Sequence, residues 1–251
     1  MSNTKDSIVF VDEGEEYIGS RDFAAAVRDS DNYYVLFYRE NLHELPYSVD
    51  EIYEIKTSGK FHLFKPRYPA RKHIYSQKTD GSGYKVLLTE DSKAGYQFYR
   101  KYMEGKPVNC ISVGSNGAIY PYLADNKNGS FLVIADGAAF GSEMNRIMEL
   151  VKRMPGGIIL CLPESFEWLI LKSGLVHMDR LEDMLENPSN YIESGEYFSW
   201  EQFFTDYLIK AGEGKQYRYQ KNNLNPYYLI PANMEKIVSE ISAIKTSSPE
   251  V

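Results

Sequence analysis

Short apolar runs bounded by polar turns recur along this chain. Between them, apolar residues return every third or fourth position. The first pattern reads as buried strands and the second as amphipathic helices. Ile8-Val-Phe-Val11 is the first run, and Ser20 then offers a helix cap with Phe23, Ala24 and Val27 as the stripe behind it. Tyr33–Tyr38 follows as an aromatic-rich strand, and Ile52–Ile55 and Lys60–Phe64 flank the Ser58-Gly59 turn as a hairpin. Residues 69–84, centred on Thr79-Asp-Gly-Ser-Gly83, read as a connector.

From residue 85 to 175 strand and helix alternate. The strands are Val86–Leu88, Val108–Val113, Phe131–Ala135 and Ile158–Leu162. The helices run through Tyr96, Phe98, Tyr99 and Tyr102, then Ala118–Leu123, then Met144, Ile147, Met148 and Val151, then from Ser165 through Leu169 and Leu171. Such repeated units predict a mostly parallel sheet flanked by helices. Beyond residue 176 the pattern is helical, over Asp179–Leu185, Ser199–Ile209 and Met234–Ile244, with Thr246–Val251 expected to fray. The expected fold is α/β, divided as a small α/β part (1–68), a connector (69–84), an α/β domain (85–175) and a helical C-terminal region (176–251).

With 43% hydrophobic and 25% charged residues, the composition is that of a globular protein. A net charge of -7 gives no support to nucleic-acid binding by charge alone. Lys65, Arg67, Arg71, Lys72 and His73 form a local basic run, which reads as a solvated connector. Cys110 and Cys161 each lie within an apolar run, without disulfide or zinc spacing, and fit a reducing cytoplasm. The start of the chain is polar and no apolar run approaches a membrane span, so neither a signal peptide nor a membrane contact is expected. The 21 tyrosines suit either half-buried rings or a surface for a partner, and their number leaves both readings open.

Acidic residues sit just past the strands of the alternating region. Glu90-Asp91 follows the first, Asp136 the third, and Glu164 and Glu167 the fourth. The carboxyl ends of parallel strands meet at one edge, where ligands bind. Carboxylates gathered there suit a hard divalent cation, magnesium or manganese. Glu167 also falls in the first turn of a helix, where negative charge is favoured without any metal. Gly137-Ala-Ala-Phe-Gly141 reads as a tight turn into a helix that requires small residues.

Leu88-Thr-Glu90-Asp91-Ser-Lys-Ala-Gly95, then Val113-Gly-Ser-Asn-Gly117, then Val133-Ile-Ala-Asp136-Gly137 resemble a TOPRIM domain of the OLD-family nuclease type, over about residues 85–172. The resemblance gives the glutamate role to Glu90 and the first aspartate role to Asp136. Ala138 stands where the second aspartate is expected, and Pro163-Glu164-Ser-Phe-Glu167 resembles a fourth-strand acidic motif of such relatives, which would make Glu164 and Glu167 the replacement ligands. Asp91 is a weaker candidate. Ile8-Val-Phe-Val11-Asp12-Glu13 resembles the Walker B strand of an ABC-type ATPase, in which Asp12 would help to hold magnesium and Glu13 would position water. OLD-family proteins join these two parts in this order. The chain contains no Gly-x-x-x-x-Gly-Lys-Ser/Thr loop, so no ATP hydrolysis is expected from it alone; an acidic turn after a strand is the alternative reading of Asp12 and Glu13, and both stay open.

The resemblance implies magnesium-dependent cleavage of a nucleic-acid phosphodiester, with DNA or RNA as the partner. The alternative is a non-catalytic α/β scaffold that binds or regulates a protein partner or a second copy of itself.

Overall fold

The structure is a computed structural model, and it describes residues 4–12, 16–58, 61–70, 73–77, 83–192, 196–197 and 199–245. Glu13, Arg71, Lys72, the Gly59 turn, most of Thr79–Gly83 and the tail from Thr246 lie outside the described residues.

The chain begins with β1 (Ile8–Val11), α1 (Arg21–Arg28) and β2 (Tyr33–Leu36), a small unit in which β1 and β2 pair in parallel. Ser20 caps α1 as its sequence predicts, its hydroxyl accepting from the Phe23 N–H at 3.1 Å. Strands β3 (Tyr53–Ser58) and β4 (Phe61–Pro66) form the expected antiparallel hairpin.

A five-stranded sheet follows. It contains β5 (Ile74–Ser76), β6 (Val86–Thr89), β7 (Asn109–Ser112), β8 (Phe131–Ile134) and β9 (Ile158–Pro163), in the order β5-β9-β8-β6-β7. All neighbours are parallel except β5, which runs antiparallel to β9. Residues 74–76 therefore belong to the sheet, although the sequence places them in a connector. Three residues are too few to show a strand period, and it is pairing with β9 that makes them one.

Helices α2 (Ala94–Tyr102), α3 (Asn116–Asp125), α4 (Gly141–Arg153) and α5 (Phe166–Lys172) alternate with these strands. After them come α6 (Leu181–Glu186), α7 (Trp200–Ala211), α8 (Pro231–Val238) and α9 (Ser242–Lys245). Strand side chains alternate between two cores. On one face Leu87, Leu132, Ile134, Ile159 and Cys161 pack with Phe98 of α2 and Trp168 of α5. Phe204, Tyr228, Ile237 and Ile241 of the C-terminal region join that same core. On the other face Leu88, Val133, Leu160 and Leu162 pack with Ile119 of α3 and with Met144 and Ile147 of α4. Each large apolar side chain enclosed in this way contributes about 1.5–3 kcal/mol relative to exposure.

The α/β class, the mostly parallel sheet between helical layers and the helical C-terminal part match the sequence reading. The single final helix expected over Met234–Ile244 is instead two. Ser239 turns its hydroxyl back onto the Lys236 carbonyl at 2.6 Å, and the Ile241 N–H closes a turn on the Val238 carbonyl at 2.8 Å. The bend still delivers Ile241 and Ile244 to the core. Among the described residues no helix is long and apolar enough to cross a membrane.

Candidate functional site

Strand order fixes where the site lies. From β6 the chain crosses to β7 on one side, then passes back over β6 to β8 on the other. The order reverses between β6 and β8, and the connecting helices α2 and α3 accordingly cover opposite faces. A crevice opens outside the carboxyl ends of strands at such a switch point. Glu90 directly follows β6, and Asp136 lies just past β8.

The two meet there. Glu90 Oε1 accepts the Asp136 backbone N–H at 3.2 Å, while Glu90 Oε2 is shut off from solvent and has no hydrogen-bond partner. Burial pushes the Glu90 carboxyl up to about 8, against the pull of the Asp136 N–H. Asp136 is raised well above the ordinary carboxylate range by its own enclosure and then by the charge of Glu90. A cavity of about 20 Å³ is lined by Thr89, Glu90, Tyr99, Ile134, Asp136 and Phe166. That is room for a single water or ion. The Tyr99 hydroxyl, also buried, has no hydrogen-bond partner.

Asp136 makes a further link. Its Oδ1 accepts the Phe166 N–H at 3.2 Å, fastening the start of α5 to the end of β8. Gly137 permits this closeness, since a Cβ there would come within 3.0 Å of the Pro163 carbonyl oxygen. The turn from Gly137 thus needs a small residue, as its sequence suggests. Carboxylate oxygens of Asp136, Glu167 and Glu201 lie within 4.8 Å of one another. Glu167 is 2% exposed, and its Oε1 accepts from the Tyr219 hydroxyl at 2.7 Å and sits 4.0 Å from Lys221 Nζ. Burial raises the Glu167 carboxyl, with Lys221 opposing. Lys221 also pairs directly with Glu201. Burial pulls its ammonium down, but Glu167 and Glu201 outweigh that and hold it above its ordinary value.

Of the acidic residues expected from sequence, Glu90, Asp136 and Glu167 therefore share this edge. Glu164 does not join them. Although only three residues from Glu167, it faces the other side of the β9–α5 turn, where its carboxylate lies within 4.8 Å of Asp50 and His73 ligand atoms. Asp91 serves α2: its carboxylate accepts the Lys93 and Gly95 N–H groups, each at 2.8 Å. Asp12 follows β1 of the small N-terminal sheet, outside the five-stranded one.

Glu201, Tyr219 and Lys221 carried no signal in the sequence. They come from the C-terminal region, and only its packing onto the sheet brings them to this edge. The Ala94 N–H donates to the Lys221 carbonyl at 2.9 Å, and Gln97 holds Asn222 and Leu224 from the same helix. No protein-family model, curated protein or solved structure matches the chain.

Proposed function

We propose that the edge formed by Glu90, Asp136, Glu167 and Glu201 holds a divalent metal, magnesium or manganese, and that the chain cleaves nucleic-acid phosphodiesters there. The observation that carries this reading is the solvent-excluded Glu90 Oε2. It has no hydrogen-bond partner, and it belongs to a carboxyl packed against Asp136 beside a cavity of single-ion size. A buried, unsatisfied carboxylate oxygen is costly unless something pairs with it. A hard cation bound by one or two carboxylates stabilises charge on a phosphodiester and activates water.

The chain's own groups then have distinct tasks. Asp136 orients the site by tying β8 to the start of α5. Tyr219 holds Glu167 in one position. Lys221 offers a positive charge on the rim, suited to a phosphate oxygen. In this reading Glu201 replaces the aspartate that Ala138 lacks. The two free thiols accord with work in a reducing cytoplasm.

Lys221 also favours a second reading. Its ammonium already neutralises Glu167 and Glu201, as in a structural charge network on a non-catalytic scaffold. Nicking of supercoiled plasmid and cleavage of structured RNA, with manganese or magnesium, separate the two. Metal-dependent cleavage that falls about a hundredfold or more in Glu90→Gln and Asp136→Asn supports the enzyme. Absence of cleavage with every divalent metal, or cleavage indifferent to both substitutions, sinks it.

A further inference from the structure

The second acidic cluster is assembled from three remote parts of the chain. Asp50 lies in a 3-10 turn, Val49–Glu51, that precedes the hairpin. His73 stands immediately before β5, and Glu164 immediately after β9. One ligand atom from each lies within 4.8 Å of the other two. Glu164 is only 2% exposed, and its Oε1 has no hydrogen-bond partner. A buried carboxylate oxygen left this way, facing a second carboxylate, calls for a cation.

The histidine is set up to supply a lone pair. Its Nε2 lies 3.3 Å from the Glu186 carbonyl oxygen. A carbonyl only accepts, so Nε2 is the donor in that contact, and the tautomer that makes it keeps the Nδ1 lone pair for a ligand. A metal-bound imidazole commonly donates its other N–H to a carbonyl in just this manner. The rings of Trp168 and Trp200 stand edge-on to the imidazole at 6.3 and 6.0 Å and hold its plane. Asp50 is anchored by its own turn, in which the Ser48 hydroxyl accepts the Asp50 N–H and Glu51 reaches back to the Ser48 N–H.

We propose that Asp50, His73 and Glu164 form a second metal centre, distinct from the edge at Glu90, for a divalent transition metal of the zinc class. One imidazole nitrogen with two carboxylate oxygens suits zinc and its neighbours better than magnesium. Three protein ligands leave a fourth position for water. Such a centre clamps the turn before the hairpin and the start of β5 to the end of β9.

Equilibrium dialysis of the full chain against zinc, with excess magnesium present to occupy other carboxylates, tests this. The expected result is one equivalent of tightly bound zinc, weakened at least about tenfold in His73→Gln and in Glu164→Gln and retained in Asp136→Asn. Zinc should also raise the melting temperature of the wild type and not of Glu164→Gln. Glu164→Gln keeps the side chain's shape and takes away the anionic ligand, so it reports on binding without unfolding the protein. No stoichiometric zinc, zinc binding unaltered by either substitution, or zinc lost only in Asp136→Asn would each overturn the proposal.

Discussion

At the scale of single residues, the decisive feature is charge placed where water is scarce. Glu90, Asp136, Glu164 and Glu167 all have their carboxyls raised, in each case chiefly by burial. A raised acid keeps its proton longer in the folded protein than in the unfolded chain. The folded state then binds more protons than the unfolded state, and stability falls as pH rises. For Glu90 that window runs from its ordinary 4.5 to about 8. In the presence of chelator, melting temperature should therefore decline across this window, and Glu90→Gln should flatten the decline. A divalent metal that occupies the site should flatten it too. A melting temperature that climbs over the same window would contradict the burial seen here.

Glu90 and Asp136 could be singled out from sequence because each directly follows a strand, and strand ends in a parallel sheet share an edge. The same reasoning groups Glu164 with them, whereas its carboxylate lies beside Asp50 and His73. Residues three apart across a turn diverge, and which way each faces depends on the backbone of that turn. Glu201, Tyr219 and Lys221 lay beyond reach because no local pattern links a helix start or a polar loop to a strand end more than sixty residues earlier.

Among the elements, caps and periodicity carried the information. Ser165 heads α5, its hydroxyl accepting the Trp168 N–H at 3.0 Å in a fully buried setting. Ser165→Ala should cost about 1 kcal/mol or somewhat more, read as a shift in urea midpoint. Helices with a clear apolar stripe, such as α4, were placed from sequence to within a few residues. What escaped were elements that owe their form to neighbours. Strand β5 exists because β9 offers a free edge, and the last helix divides where Ser239 competes for a backbone carbonyl.

Across the whole molecule, the sequence suggested a helical region following an α/β domain. Its helices instead complete a shared core, since Phe204, Tyr228 and Ile237 pack in the same cluster as Leu132 and Ile134 of β8. A chain ending at Gly174 should accordingly expose that sheet face and bind hydrophobic dye, with loss of near-ultraviolet circular dichroism. A truncated protein that melts cooperatively and binds no dye would show that residues 1–174 fold without the C-terminal region.

The antiparallel strand on the β9 side has one more effect. It leaves the sheet with two short edges among the described residues, β5 with three residues on one flank and β7 with four on the other. An extended segment from another chain would find its template along such an edge. With β7 only four residues long, an intermolecular ladder has little length on which to take hold.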